Sequence, residues 1–377
     1  RDHLARAPPP ARRHAVPPRF LRSLPASPRS PGPVRFAPCS AMAAARSLSA
    51  TAQMLATALV AGERRALSKA ITLVESTQPA SREAADELLS LVLPQRDASR
   101  CLRLGISGPP GTGKSTLIES LGLELASRRH RLAVLAVDPS SHRSGGSVLG
   151  DKTRMPQLSA NPAAFIRPSP AQGVLGGVAR RTEDVALLCE SGGYDRVVVE
   201  TVGVGQSEVV VAGLVDMFVL LVPPGAGDGL QGIKRGIMEL ADLVVVTKCD
   251  GALKPVAKAA AQDIRAALSV LRPRDAAWAP RVITSSMHDP GSAAAVADVI
   301  EEFRATMGRA GALRARRAEQ AVSRVWEHAR ADVLHRLGGM PGVQALIGEL
   351  AASAAAGSMP YSRAGSLVGA AVLAPDA

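Results

Sequence analysis

The chain has 377 residues, 46% of them hydrophobic and 2% aromatic. That is enough apolar material for one large α/β domain with helical extensions, or for two domains, with a core of Val, Leu, Ile and Ala; no run of 18 apolar residues supports a membrane span. The formal charge is +12, but nine Arg, no Lys and a single acid (Asp2) fall in residues 1–50, which leaves the rest nearly balanced and argues against a nucleic-acid groove in the folded part.

Residues 1–50 hold ten prolines before position 40 and cannot build a packed core. Their Arg- and Ser-rich, acid-poor composition is that of an organelle transit peptide; the other reading is upstream sequence ahead of a start at Met42. The first reading puts the protein in an organelle, the second in the cytoplasm. Residues 51–100 read as a helical extension. Leu67, Ala70, Ile71 and Val74 form one apolar stripe, Leu88, Leu89 and Val92 a second, and Pro79 separates them.

From residue 101 to 311 the pattern becomes short, nearly continuous apolar runs alternating with helical segments. The predicted strands are Leu102–Ser107, Leu132–Val137, Ala164–Arg167, Arg196–Thr201, Met217–Val222, Leu243–Thr247 and Val282–Ser285. Runs of this kind suit strands buried on both faces, so the fold class is α/β, a doubly wound, mostly parallel sheet of the P-loop NTPase type. Residues 312–353 read as a helical arm with a stripe of Val322, Val325, Trp326, Ala329, Val333 and Leu337, which could pack back on the domain or pair with another copy. The Ala-, Gly- and Ser-rich stretch 354–377 reads as a weakly ordered tail. Cys39, Cys101, Cys189 and Cys249 are far apart and form no CxxC pair, so no disulfide framework or zinc site is expected.

The strongest chemical signal is Gly108-Pro109-Pro110-Gly111-Thr112-Gly113-Lys114-Ser115-Thr116, a GxxxxGK[ST] loop between a predicted strand and a predicted helix. Its glycines let backbone N–H groups turn toward phosphates, and the new helix adds its positive end. Lys114 is expected to reach the β- and γ-phosphates, and the Ser115 hydroxyl to bind Mg²⁺. Thr247-Lys248-Cys249-Asp250 follows a late strand and matches the [NT]KxD pattern. There Asp250 would accept from guanine N1–H and the exocyclic amine, donors that adenine lacks, while the Lys248 stem lies along the base. Alone this pattern is often an ordinary strand exit; its position after the P-loop gives it weight. Ser286-Met287-His288 follows the last strand, where a Ser-Ala-x turn would offer backbone N–H groups to guanine O6; a plain loop is the alternative.

Between these anchors, Asp138 follows the predicted strand Leu132–Val137 and is placed to hold Mg²⁺ directly or through water. Glu200-Thr-Val-Gly203 is a DxxG-like element with Glu in place of Asp, and Gly203 can present its N–H to the γ-phosphate. The stretch Ser144–Arg154, which contains Asp151, is polar and glycine-rich, a candidate switch. No Gln directly follows Gly203; Gln206 lies three residues on. Asp228 and Lys234 lie on another glycine-rich loop, from which Lys234 could neutralise transition-state charge. Slow hydrolysis is expected without it.

Taken together, SGPPGTGKST, LAVDPSS, GGSVLGDKTRM, IRPSP, GGVAR, ETVGVGQSE, VDMFVLL, LQGIKRGI and ADLVVVTKCDG resemble the MeaB/ArgK-type GTPases over residues 65–345, most of all their mitochondrial methylmalonic aciduria type A branch. The resemblance implies a homodimeric P-loop GTPase of the SIMIBI class. It would bind GTP or GDP with Mg²⁺ and serve as a chaperone of methylmalonyl-CoA mutase, gating cofactor loading and protecting or reactivating the mutase. Adenosylcobalamin would be met only through that partner. On this basis Asp138, Asp151 and Glu200 match the family's Mg²⁺ and switch acids, Asp250 its guanine reader, Asp228 and Lys234 the loop that responds to the mutase, and the helices after 312 its dimerisation arm. Two positions depart from the pattern: Gly229 stands where Glu is usual, and Met287 where Ala is. The alternatives are a GTPase that delivers a metal to another metalloenzyme, and a P-loop kinase.

Overall fold

A computed structural model describes residues 50–76, 78–138, 154–170, 175–201, 207–225, 235–340 and 342–373, all within one compact unit, Ser49–Ala377. The transit-peptide reading of residues 1–50 therefore falls almost wholly outside the described residues. Three helices come first: α1 (Ala50–Val60), α2 (Arg64–Glu75) and α3 (Pro79–Val92). Pro79 opens α3 at its first turn, where its missing N–H costs nothing and its fixed φ suits the helix.

The sheet then unfolds in chain order as β1 (Leu102–Ser107), β2 (Leu132–Asp138), β3 (Ala164–Pro170), β4 (Arg196–Thr201), β5 (Met217–Val222), β6 (Leu243–Val246) and β7 (Arg281–Thr284). Among the described residues these make a seven-stranded, all-parallel sheet of order β3-β2-β4-β1-β5-β6-β7. All seven strands coincide with the apolar runs of the sequence, within a few residues at the ends. Between and after them lie α4 (Lys114–Ser127), α5 (Pro156–Ala160), α6 (Leu175–Ser191), α7 (Ser207–Ala212), α8 (Arg235–Met238), α9 (Lys254–Ser269) and α10 (Pro290–Arg309).

Side chains alternate across each strand, so the sheet feeds two cores. On one face Leu102, Leu104, Ile106, Val134, Val198 and Val219 pack under Leu117, Leu121 and Leu125 of α4 and Val296, Ile300 and Phe303 of α10. The other face is covered in two parts. Phe218, Leu220, Val244 and Val246 meet α7 and α9. Ala133, Leu135, Phe165 and Val197 meet Leu59, Leu67, Ile71 and Leu88 of the N-terminal helices, together with α6. The N-terminal helices thus complete the domain's second face instead of standing apart from it.

Beyond α10 come α11 (Ala312–Gly339), α12 (Val343–Ala355) and α13 (Tyr361–Leu373). The predicted stripe on α11 does not meet the domain: Val322, Val325, Trp326 and Val333 are all more than half exposed. Beyond Ala312 and Leu313, which pack against the core at the start of the helix, contact runs through polar groups. Arg316 bonds the Asp242 carboxylate and the Asp216 carbonyl, Arg317 the Asp216 carboxylate, and Gln320 the Val215 carbonyl. α13 falls within the stretch from 354 for which weak order is the expectation.

Candidate active site

In an open parallel sheet, ligands bind beyond the carboxyl ends of the strands where the strand order reverses. Here that place is the end of β1, flanked by β4 and β5, and the loop leaving it is Gly108–Gly113. Gly108 is required by close approach: a Cβ there would sit 2.5 Å from the Leu221 carbonyl oxygen. Gly113 has φ +87° and starts α4 in a conformation that side-chain-bearing residues rarely adopt. Thr112 donates to the Pro109 carbonyl at 2.8 Å and closes the turn.

Lys114 and Ser115 follow as the first residues of α4. The Lys114 ammonium is buried and donates to the carbonyl oxygens of Gly108 (2.8 Å) and Pro109 (3.1 Å). Burial, opposed by the charge of Glu200, lowers its pKa below the usual lysine value. Ser115 Oγ donates to Glu200 Oε1 at 3.0 Å. Glu200 reaches that point because β4 runs beside β1 with Glu200 opposite Ile106. Lys114, Ser115, Thr116, Pro110, Gly111, Gly113, Arg154 and Glu200 line a cavity of 490 Å³.

A second cavity, of 470 Å³, shares Gly111, Gly113 and Thr116 with the first and ends at Lys248, Asp250, Ser286, Met287 and His288. The base-reading loop is built from the ends of β6 and β7. Cys249 N–H donates to the Ser285 carbonyl at 3.0 Å, and Lys248 adopts a left-handed φ of 55°. Ser286 Oγ donates to Asp250 Oδ2 at 2.7 Å and accepts the His288 N–H at 3.1 Å. The structure therefore brings together both loops of the sequence reading and Glu200. Met287, which stands where the family usually has Ala, lines this cavity and is 70% exposed.

Of the other predicted residues, Asp138 ends β2, next to Val137, which lies opposite Thr201 in β4. Asp151, Gly203, Gln206, Asp228, Gly229 and Lys234 lie outside the described residues. The sequence reading did not single out two contributors. Arg154 was seen only as the last residue of a switch-like stretch, yet it lines the phosphate-sized cavity. Ser292 had no motif of its own; the turn signal Asp289-Pro-Gly-Ser292 ahead of a helix was the available clue. Cys189 and Cys101 are buried free thiols whose pKa burial pushes up, in keeping with core packing.

Two adjoining cavities, one ringed by backbone N–H groups, a lysine and a hydroxyl–carboxylate pair, the other by an aspartate and a serine turn, suit the two ends of a nucleotide. Known proteins agree with that geometry. A family model described as methylmalonyl Co-A mutase-associated GTPase MeaB matches residues 67–341. A probable GTPase of Mycobacterium tuberculosis is 50% identical over 319 residues, 85% of this chain and 94% of the relative. The mitochondrial methylmalonic aciduria type A homolog of Mus musculus is 48% identical over 322 residues, 83% of this chain and 78% of the relative. Among solved structures, a LAO/AO transport system kinase superposes with a TM-score of 0.70 at 33% identity, covering 86% of this chain and 98% of its own.

Proposed function

Because the chain belongs to the MeaB family of methylmalonyl-CoA mutase-associated GTPases, we propose that this P-loop GTPase is a chaperone of adenosylcobalamin-dependent methylmalonyl-CoA mutase. Its nucleotide cycle gates cofactor loading and protects or reactivates the mutase, and adenosylcobalamin is met only through that partner. The observation that carries the nucleotide reading is the joined pair of cavities, with Asp250 at one end and Lys114, Ser115 and Glu200 at the other.

The roles divide along that axis. Backbone N–H groups of Gly111–Thr116 cradle the phosphates, and Lys114 turns its ammonium from the loop carbonyls to the β- and γ-phosphate oxygens. The Ser115 hydroxyl and Glu200 carboxylate are hard oxygen donors 3.0 Å apart, a set that fits Mg²⁺, which keeps several waters and binds few protein groups; Asp138 and Asp151 are the further acids of that set. Bound Mg²⁺ supplies charge against the phosphate oxygens. Asp250 and the 286–288 turn read the base. Asp228 and Lys234 form the loop through which the mutase raises a slow intrinsic rate, with Lys234 as the added cation.

The outward Val322, Val325 and Trp326 on α11 support pairing of two copies through the 312–353 arm. A mitochondrial matrix location is supported by the mitochondrial relative. GTP turnover measured alone and with methylmalonyl-CoA mutase tests the chaperone reading. Stimulation by the mutase is the expected result; an unchanged rate would move the client elsewhere.

Base choice has its own test. Asp250→Asn replaces an acceptor by an amide whose N–H₂ faces donors on guanine, so GTP affinity should fall about a hundredfold. Competition among GTP, XTP and ATP reads this directly. Equal GTP and ATP affinity in the unaltered protein would favour the kinase alternative.

A further inference from the structure

The carboxylate at Asp250 is held in place by a chain of bonds that reaches back to the start of α10. Asp289 caps that helix: its Oδ1 accepts the Gly291 N–H at 2.9 Å, and its Oδ2 accepts from Ser292 Oγ at 3.2 Å. With its proton committed there, Ser292 Oγ accepts the buried Ser286 N–H at 3.0 Å. Ser286 Oγ in turn accepts from His288 N–H at 3.1 Å, which leaves its own proton for Asp250 Oδ2 at 2.7 Å. Each hydroxyl has one proton, so fixing the acceptor side of one fixes the donor direction of the next.

Two consequences follow for a base. Asp250 has one oxygen engaged by Ser286, and both residues line the cavity. Of the turn's N–H groups, those of Ser286 and His288 are taken, and among the described residues no acceptor takes the Met287 N–H. The cavity therefore presents an acceptor and a donor at a spacing set by the Ser292 link.

We propose that Ser292 is a positioning residue for base discrimination: its hydroxyl, oriented by Asp289, sets the 286–288 turn so that Asp250 meets the guanine amide and amine together. The proposal rests on the guanine reading above. It goes beyond that reading because Ser292 does not line the cavity and would act only through Ser286. The Ser292 side chain is buried, so no direct contact with nucleotide is involved.

The probe is ITP, which lacks the exocyclic amine that Asp250 reads. Dissociation constants for GTP and ITP are measured by direct binding to the full chain, unaltered and as Ser292→Ala, Ser292→Cys and Ser292→Thr. Removing the hydroxyl frees the turn, so Ser292→Ala should cut the GTP-over-ITP preference about tenfold, the scale of one hydrogen bond to a charged group. The Cys variant keeps volume with a poor hydrogen-bonding group and should do the same if the Ala variant packs badly. Thr, which keeps the hydroxyl, should restore the preference. Unaltered discrimination in the Ala or Cys variant would overturn the proposal and leave Ser292 as a helix-start residue only. A chain that shows no preference for GTP over ITP before any substitution would sink the guanine reading, and this proposal with it.

Discussion

Lys114→Ala should reduce single-turnover GTP hydrolysis by about 10²–10³, the scale of losing one preorganised charge contact to a transferring group, while the melting temperature moves by only a few degrees. The two halves of that expectation have separate causes. The Lys114 ammonium sits inside the phosphate-sized cavity, near Ser115 and Glu200, where low local polarity strengthens its pull on phosphate oxygens. Burial already lowers its pKa, so a bound polyphosphate adds to the countercharge that the site otherwise draws from Glu200 and Glu208. In the fold its role is slight: it donates to two carbonyls of its own loop and belongs to none of the hydrophobic clusters. Thermal melts and single-turnover assays on the same preparation check both halves. A variant that hydrolyses GTP at the original rate, or one that unfolds, would contradict the assignment.

The sheet was legible because a strand buried on both faces has no choice of composition. Val197, Val198 and Val199, or Val244, Val245 and Val246, can sit only between two layers. The P-loop was legible for a related reason: Gly108 and Gly113 are the residues that a close carbonyl and a left-handed helix start demand. Strand ends were less exact. Thr247 leaves the ladder that Val246 closes, and its N–H bonds the Val222 carbonyl as the chain turns toward Asp250.

Ser292 and Arg154 were not legible because their placement is a tertiary fact. Nothing local to Asp289-Pro-Gly-Ser says that a hydroxyl there will meet the N–H of Ser286 six residues earlier. The underside of α11 was hidden for a different reason. The apolar stripe of Val322, Val325 and Trp326 left open whether the helix packs back on the domain or pairs with another copy, and it gave no sign that arginines would make the contact. Arg316 and Arg324 are buried, and the stripe faces out. Guanidinium groups can do this because the strand starts and turns beneath them end in carbonyls and in Asp216 and Asp242, which need donors.

That arrangement makes the fold sensitive to a single substitution at Arg316. Its guanidinium bonds both oxygens of Asp242 at 3.0–3.1 Å, with side-chain exposures of 5% and 2% for the pair. Asp242 also accepts the Phe218 N–H at 2.8 Å, which ties the pair to the start of β5. Truncation to Ala leaves a buried carboxylate with the Phe218 N–H and a more distant cation, Arg274, 3.8 Å away. The expected cost is about 3–5 kcal/mol, a drop of roughly 5 °C in melting temperature for a unit of this size. The loss should depend on pH, and its sign is fixed. Burial pushes the Asp242 carboxyl above its ordinary 3.8, and the charge of Arg316 opposes that rise; without Arg316 the folded value climbs further. A carboxyl whose folded pKa exceeds its unfolded one keeps a proton that the unfolded chain has released. Arg316→Ala therefore loses stability as pH rises above about 3.8, and the loss levels off only once Asp242 ionises in the folded state. Melts at several pH values should show the gap to the unaltered protein widening toward neutral pH. Adding Asp242→Asn to an Arg316→Met background should narrow it, because the uncompensated charge is gone while the Phe218 N–H keeps an acceptor. A gap that stays the same at every pH would mean that lost packing around the guanidinium, not the stranded charge, carries the effect.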